Sequence, residues 1–252
     1  MKSRIRRVLL AGLAAAAVAA PALAQKKYDT GADDKEIKVG GMSPYSGPVS
    51  AYGTIGKAIG AYFDKVNAEG GVNGRKIRWI SYDDAYNPAK AVEMSRKLVE
   101  QDEVLVVFNP LGTASNSAIQ KYLNQKKVPQ LFVATGATKW GDPKNFPWTM
   151  GFQPSYQSEA KIYTQHILET KPNAKIAIIY QNDDYGKDYL KGFEDGLGDK
   201  AKTMIVKKLS YETTDATIDS QLVELKATGA DTFFNITTPK FAAMAIKKMA
   251  EI

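Results

Sequence analysis

Short apolar runs alternate with segments of helical spacing along most of this chain. Seven runs have the length and composition of buried strands, at residues 37–42, 76–82, 104–108, 130–134, 175–180, 203–209 and 231–236. The segments between them carry apolar residues three and four positions apart, which is typical of helices. Nearly continuous apolar strands separated by helices form parallel sheets that are covered on both faces. The pattern therefore predicts an α/β fold.

Two of the predicted helices have recognisable starts. The first follows Ser50 and places its apolar residues at helical spacing, at Tyr52, Ile55, Ile59, Tyr62, Phe63 and Val66. The second opens at the pair Asn87-Pro88 and is expected to bury Val92, Ser95, Leu98 and Val99. Before the first helix, the strand at 37–42 runs into the turn Ser43-Pro-Tyr-Ser-Gly-Pro48. An open α/β sheet begins in this way when the end of its first strand faces a ligand.

The first 24 residues have the pattern of an export signal. Basic residues precede an apolar run at 8–20, and Ala22-Leu-Ala24 forms a small-residue cleavage site. The run is too short to span a bilayer comfortably. We therefore expect a signal peptide at 1–24, a mature chain beginning at Gln25 and a periplasmic location. The pair Arg6-Arg7 leaves twin-arginine export open beside the favoured general route, and the whole pattern indicates a protein that binds a small molecule outside the cytoplasm.

Composition excludes several classes of site and partner. The chain has no cysteine, which rules out disulfides, cysteine nucleophiles, thiolate metal sites and attachment of a lipid to a thiol. Without the basic residues of the signal segment, the net charge of +7 falls to about +3. The remaining charges are interspersed, with no basic run carrying interleaved aromatic residues, so nucleic acid is not an expected partner.

A weak internal repeat divides the chain. The segment Tyr82-Asp-Asp-Ala-Tyr-Asn-Pro88 opens a helix that leads to the strand at 104–108. In the same way, Tyr211-Glu-Thr-Thr-Asp-Ala-Thr217 opens a helix that leads, past Gly229, to the strand at 231–236. The repeat predicts two similarly wound lobes, at 25–152 and 153–252, joined near residues 146–154. A cleft between two such lobes is a natural ligand site.

Six short motifs make a more specific pattern. In chain order they are Met42-Ser-Pro-Tyr-Ser-Gly-Pro48, Ala51-Tyr-Gly53, Val66-Asn-Ala-Glu-Gly-Gly-Val-Asn-Gly74, Tyr82-Asp-Asp84, Ala134-Thr-Gly-Ala-Thr138 and Asp184-Tyr-Gly186. With them the chain resembles the leucine/isoleucine/valine-binding family, the branched-chain amino acid group of type I periplasmic solute-binding proteins of ABC transporters. The resemblance covers nearly all of residues 36–252. It implies two lobes, each a doubly wound parallel sheet, that close on a solute and deliver it as a monomer to a membrane permease.

The resemblance also assigns a site for the head group of the ligand. Family members hold a ligand carboxylate with a hydroxyl side chain and backbone N–H groups after the third strand, and here the matching segment is Asn109-Pro-Leu-Gly-Thr-Ala-Ser115, with Thr113 in the hydroxyl position. A helix is predicted to start there, and its N-terminal N–H groups and dipole favour an anion by about 0.3–2 kcal/mol. The alternative is that Thr113 or Ser115 only caps this helix.

Five further residues carry over from the family pattern. Ala134 and Gly136, after the fourth strand, match positions where backbone groups meet the ligand head. Tyr52 matches a side chain that packs on the apolar part of the ligand, and Tyr185 matches an aromatic residue that closes over it. Thr238 stands where family members have a second-lobe tyrosine. Ordinary packing is the alternative for both tyrosines.

Departures from the family pattern bear on the class of ligand. Amino-acid binders have a hydroxyl side chain at the position of Gly136 and an acidic residue at the position of Pro154, and their ammonium partner would lie beyond Ile252. Aromatic residues stand near the crossover, at Trp140, Phe152 and Tyr156, where packing in the core is the alternative to contact with a ligand. We therefore expect either a branched-chain amino acid or an aromatic or apolar carboxylate. A receptor for amides or urea, or a sensor on the same fold, stays open as the alternative.

The rival class is an enzyme. His166 lies on a predicted apolar helix face and is interpreted as structural, and neither a nucleophile elbow nor a cluster with metal-ligand spacing occurs. The segment Gly53-Thr-Ile-Gly-Lys57 is interpreted as small residues that permit close helix packing rather than a phosphate loop. The pairs Asp83-Asp84 and Asp183-Asp184 end strands before helices, where capping and turn roles suffice. We expect no catalysis, no cofactor and no metal.

The second predicted lobe has three strands, whereas parallel lobes of this kind usually have about five. The last helix pattern, at 239–252, runs to the end of the sequence without a Gly or Asn cap. The family resemblance also implies further segments after this point. We therefore expect a C-terminally truncated chain, whose second lobe is incomplete and only marginally stable.

Overall fold

The computed structural model describes residues 28–252. The signal peptide expected at 1–24 lies outside these residues. Within the described part, no helix combines the length and the apolar character that crossing a membrane requires.

The first lobe is built on a five-stranded parallel sheet with the strand order β2-β1-β3-β4-β5. Its strands are β1 (Glu36–Ser43), β2 (Lys76–Asp83), β3 (Val106–Phe108), β4 (Gln130–Val133) and β5 (Thr149–Gly151). Its helices are α1 (Gly53–Ala68), α2 (Pro88–Glu100) and α3 (Thr113–Lys126). The sequence pattern missed β5, because a three-residue edge strand is too short to show a period.

The second lobe has a three-stranded parallel sheet in the described residues, with the order β7-β6-β8. Its strands are β6 (Ile176–Gln181), β7 (Ile205–Tyr211) and β8 (Thr232–Ile236). Its helices are α4 (Tyr156–Thr170), α5 (Asp184–Leu197), α6 (Ala201–Met204), α7 (Asp219–Ala227) and α8 (Pro239–Glu251). The first strand of each sheet lies between the second and the third, which is the similarity that the internal repeat predicts. The α/β fold with parallel sheets is confirmed.

Local signals placed the helix starts correctly. The Asn87 side chain accepts hydrogen bonds from the N–H groups of Ala89 and Lys90 at 2.9 and 3.1 Å, and so caps α2 at the predicted residue. The Asp183 carboxylate caps α5 by accepting from the N–H groups of Tyr185 and Gly186 at 3.0 and 3.2 Å. The capping role expected for Asp183 is therefore confirmed.

Helix α1 packs through glycine. Gly53 and Gly56 are its buried residues, and a Cβ atom at Gly56 would lie 2.2 Å from the hydroxyl oxygen of Tyr45. The interpretation of this segment as a close packing surface is confirmed. The predicted apolar face was wrong in part, because Ile55 and Tyr62 are exposed.

Helix α4 also corrects a prediction. Ala160 and Thr164 are its buried residues, whereas His166 is exposed on the side that the pattern assigned to the core. The reason lies in α5, where Gly192 and Gly196 have no side chains, so that α4 approaches along the row from Gln157 to Thr164. This close approach leaves Ile162 and Tyr163 exposed, whereas Ile167 still packs against the core of the second lobe.

Candidate ligand-binding cleft

A cavity of about 340 Å³ lies between the two lobes, within the range that small-molecule sites occupy. First-lobe residues that line it are Tyr52, Ile55, Tyr86, Leu111, Gly112, Thr113 and Ala134, and those C-terminal to them are Gln153, Pro154, Tyr156, Glu159, Tyr185, Tyr189 and Thr238. Five of the six predicted site residues are therefore brought together around one cavity. The sixth, Gly136, lies behind the wall, where its carbonyl accepts a hydrogen bond from the Tyr156 N–H at 2.7 Å.

One end of the cavity is formed by the N-terminus of α3. The cap residue is Gly112, which has a φ of 101° and no side chain to occupy the free N–H groups of the first turn. A Cβ atom on Gly112 would lie 2.5 Å from the Tyr86 ring, so glycine lets that ring close against the helix end. Neither Thr113 nor Ser115 is the cap, and the helix-cap alternative is wrong for both. The exposed dipole end of α3 favours an anion.

Thr113 presents a hydroxyl hydrogen at this end. Its oxygen lies 2.5 Å from the Thr135 hydroxyl oxygen, and both side chains are buried. The Thr135 oxygen also accepts from the Ala137 N–H at 3.2 Å and from the Trp140 indole N–H at 3.3 Å. Because these donors occupy both lone pairs of Thr135, its own hydrogen is donated to Thr113. The hydrogen of Thr113 is then available to an acceptor in the cavity.

Tyrosine rings form most of the remaining wall. Tyr156 stacks on Tyr189, with ring centroids 4.6 Å apart, and meets Tyr185 edge to face at 5.2 Å. Burial raises the pKa of Tyr86, Tyr185 and Tyr189 above the ordinary value for tyrosine, so these hydroxyls stay neutral. Tyrosine walls of this kind contact planar or apolar ligands and keep a few hydroxyls for polar groups.

The three aromatic residues near the crossover lie in different environments. Tyr156 lines the cavity, Trp140 is buried behind Thr135, and Phe152 is 68% exposed. Only the first of the three therefore reaches the ligand cavity.

A hydrogen-bond network joins the second-lobe wall to the first lobe. The Gln181 amide N–H donates to the Tyr86 hydroxyl at 3.4 Å, and its carbonyl oxygen accepts from the hydroxyls of Tyr211 and Thr238 at 3.0 and 3.2 Å. The Thr238 N–H in turn donates to the Tyr211 hydroxyl at 3.0 Å. Thr238 is thereby held in place at the cavity wall.

A second set of contacts joins the lobes beside the cavity. The Asp188 carboxylate accepts from the N–H and the hydroxyl of Thr138 at 2.8 and 3.0 Å and from the Gln157 side chain at 2.6 Å. The Lys139 ammonium lies 3.0 Å from the Asp184 carboxylate. These bonds hold α5 against the loop that follows β4.

The remaining acidic pair serves the turn after β2. Asp83 accepts from the N–H groups of Tyr45, Ser46 and Ala85, and Asp84 accepts from the N–H of Tyr86 at 3.0 Å. Burial raises the pKa of Asp84. The turn roles expected for both residues are confirmed. Within residues 28–252, no group of three His, Asp or Glu side chains is placed to hold a metal ion.

Sequence reasoning missed several cavity residues. Tyr86 stands in the turn after the Asp83-Asp84 pair, and its place just past the carboxyl end of a predicted strand was the one signal in the sequence. Its positive φ of 59° is visible only in the structure. Glu159 and Tyr189 lie inside helices, where their spacing is that of any helical residue. Gln181, which does not line the cavity but supports its wall, is the last residue of β6. Their roles follow from the packing of α4 and α5 across the cleft.

Known proteins are similar to this chain in sequence and in fold. The family model described as "Periplasmic binding protein" matches residues 36–252. The Leucine-specific-binding protein of Salmonella typhimurium is 29% identical over 197 residues, which cover 77% of this chain and 50% of that protein. The Leu/Ile/Val-binding protein homolog 7 of Brucella abortus is 26% identical over 211 residues, which cover 78% and 51% respectively.

Solved structures show the same fold. A fatty acid ABC transporter substrate-binding protein from Thermomonospora curvata superposes with a TM-score of 0.77 at 24% identity, covering 89% of this chain and 57% of that chain. A solute-binding protein of an ABC transporter from R. palustris in complex with benzoate gives a TM-score of 0.75 at 21% identity, covering 86% and 59%. The chain spans about half the length of the curated relatives it matches. It belongs to the type I periplasmic solute-binding proteins, the family that includes the leucine/isoleucine/valine-binding proteins.

Proposed function

We propose that this protein binds a small carboxylate-bearing solute in the cleft between its lobes and delivers it to the membrane permease of an ABC importer. The observation that carries the proposal is the cavity end at α3, where a glycine-capped helix N-terminus and the free hydrogen of Thr113 converge. Both favour an anionic oxygen over a cation. No Lys or Arg side chain lines the cavity within the described residues, so a single carboxylate matches the site better than a phosphate.

The cavity wall favours an aromatic or apolar carboxylate over an α-amino acid. By the family resemblance, Gly136 and Pro154 stand where amino-acid binders have a hydroxyl and an acidic side chain, which weakens the case for a zwitterionic head group, and the Tyr156 ring fills the space beside Gly136. Stacked tyrosines offer apolar faces to the body of the ligand. A structural neighbour is a complex with benzoate, an aromatic carboxylate, and a relative is named for binding leucine, a branched-chain amino acid. Each of the two ligand classes therefore has an example among the similar proteins.

The remaining parts of the proposal rest on the resemblance and on the N-terminal pattern. Delivery to a permease, action as a monomer, export to the periplasm by removal of residues 1–24 and the absence of catalysis belong together in this kind of protein. We propose no cofactor and no nucleic-acid partner.

Thermal unfolding with candidate ligands tests the proposal, since a ligand that binds only the folded state raises stability. We expect benzoate and related aromatic acids to raise the Tm, with leucine weaker. A response to leucine alone would move the assignment to amino acids. A response to acetamide or urea, with none to carboxylates, would replace the proposal by the amide-receptor alternative.

A further inference from the structure

Glu159 is an acidic residue that the family pattern did not single out. It lies in the first turn of α4, is half-buried and lines the cavity. One of its carboxylate oxygens accepts a hydrogen bond from the Tyr163 hydroxyl at 2.8 Å. Among the residues the structure describes, no Lys or Arg forms an ion pair with this carboxylate.

Glu159 lines the cavity from α4, on the second-lobe side, whereas Thr113 lines it from α3, on the first-lobe side. Tyr156 lies between them, because its ring abuts Gly136 on the first-lobe side and stacks on Tyr189 on the second-lobe side. The pKa of Tyr189 is raised first by burial and then by a hydrogen bond to the Glu159 carboxylate, so the Tyr189 hydroxyl lies beside Glu159. A ligand whose carboxylate meets Thr113 therefore extends along the tyrosine rings towards Glu159.

We infer that Glu159 is a ligand-binding residue that accepts a hydrogen bond from the end of the solute opposite to its carboxylate. The solute is then a carboxylic acid that carries a hydroxyl or amino group at its far end, such as a ring-hydroxylated or ring-aminated aromatic acid. This assignment rests on the proposed function and names the class of its ligand.

The physical basis is the cost of covering a carboxylate that has no ion-pair partner among the described residues. A bound solute excludes water from Glu159, and a far end with an O–H or N–H group replaces the lost water hydrogen bond. A far end of bare carbon leaves that acceptor position unfilled, and a second carboxylate on the solute meets Glu159 as a like charge. We therefore expect ring-hydroxylated and ring-aminated aromatic acids to bind more tightly than the unsubstituted acid, and a dicarboxylic acid to bind most weakly.

Calorimetry with four para-substituted probes tests this ranking on the full chain. The probes are benzoate, 4-hydroxybenzoate, 4-aminobenzoate and terephthalate. We expect 4-hydroxybenzoate or 4-aminobenzoate to bind at least about tenfold more tightly than benzoate, which corresponds to roughly 1.4 kcal/mol, and terephthalate to bind most weakly. The comparison of the hydroxy and amino probes identifies which donor the site prefers.

Two variants test whether Glu159 causes the preference for a hydroxylated ligand. Glu159→Leu should bring the affinities for benzoate and 4-hydroxybenzoate within about twofold of each other, since no acceptor remains. Glu159→Gln keeps an acceptor but removes the charge, so it should retain the hydroxyl preference and bind terephthalate better than the wild-type chain does.

Two control variants separate this role from a structural one. Tyr163→Phe removes the bond to Glu159 while leaving the carboxylate, and it should keep the ranking. Glu169→Leu changes an exposed glutamate on the same helix and should alter nothing.

The outcomes separate the role of Glu159 from the proposed function of the protein. If carboxylates bind but benzoate equals 4-hydroxybenzoate, or if Glu159→Leu keeps the hydroxyl preference, the assignment of Glu159 is overturned and the proposed function stands. If no carboxylate binds, both are overturned.

Discussion

The ring of Tyr156 lies so close to Gly136 that a Cβ atom on the glycine would come within 2.7 Å of two ring carbons. The same Cβ would lie 2.6 Å from the carbonyl oxygen of Pro154, which is backbone and cannot swing aside. An aromatic ring and a carbonyl group therefore occupy the space that a side chain at position 136 would need.

A serine at position 136 should therefore destabilise the protein without creating an amino-acid site. Gly136→Ser is expected to reduce the free energy of unfolding by about 1–3 kcal/mol, because the added atoms overpack a close contact. It should not create leucine binding. Urea unfolding and calorimetry with leucine measure the two effects. Gly141→Ser is the matched control, since a Cβ atom there meets open space, and leucine binding by Gly136→Ser would contradict this account.

Thr113 supplies the second prediction. Thr113→Val removes the hydroxyl hydrogen that faces the cavity, and we expect the binding free energy of an aromatic carboxylate to weaken by about 1–3 kcal/mol. Thr113→Ser keeps the hydroxyl and should retain most of the affinity. Titration calorimetry compares the dissociation constants, and an unchanged value for the valine variant would remove Thr113 from the site.

Asp188 lies outside the cavity but joins the lobes through its two hydrogen bonds from Thr138. Asp188→Ala should weaken ligand binding by about 1–2 kcal/mol through faster dissociation, because the bonds to a charged group that hold the lobes together are lost. Stopped-flow measurement of the dissociation rate tests this prediction. Asp195→Ala, on the same helix and bonded only to Lys191 among the contacts described for it, is the control. A slower association rate with unchanged dissociation would be the contrary result.

Asp83 makes stability depend on acid pH. Partial burial raises the pKa of its carboxyl, but the hydroxyl and N–H of Ser46, the N–H of Ala85 and the charge of Lys90 together outweigh burial and lower the pKa to about 2. A folded pKa below the ordinary 3.8 means that the stabilisation is complete above about pH 4 and is lost as the pH falls towards 2.

Asp83→Asn should therefore cost about 2 kcal/mol of stability at neutral pH, since its side chain is only 29% exposed and each pKa unit corresponds to roughly 1.4 kcal/mol. The difference from the wild-type chain should shrink between about pH 4 and pH 2. Unfolding curves across this range provide the measurement, with the exposed Asp64→Asn as control. A difference that is independent of pH would show that the carboxylate charge is not the cause.

Export gives the last prediction. The basic segment, the apolar run and the small-residue site predict cleavage after Ala24. Intact-mass analysis of protein recovered from the periplasm should show a chain that begins at Gln25. Recovery of material that retains residues 1–24 would contradict it.

Local chemistry explains why so much of the framework was predictable. The caps at Asn87 and Asp183, the apolar strands from β1 to β8 other than β5, and the glycine surface of α1 each depend on residues within a turn or a strand of each other. Hydrophobic periodicity and helix capping depend on residues that are close in sequence, so both can be recognised in the sequence alone. Each short motif that indicated the family is likewise a run of adjacent residues.

The cavity depended on contacts between residues far apart in the chain. The hydroxyls of Thr113 and Thr135, which follow β3 and β4, are hydrogen-bonded to each other. Gln181 donates to Tyr86 in the other lobe. Glu159 reaches the cavity because α4 packs on the glycines of α5. The same packing left Ile162 and His166 exposed, against the sequence pattern. A helical period shows that a helix has two faces, but the neighbour that comes closest decides which face is buried, and that neighbour is chosen only when the sheets and helices assemble.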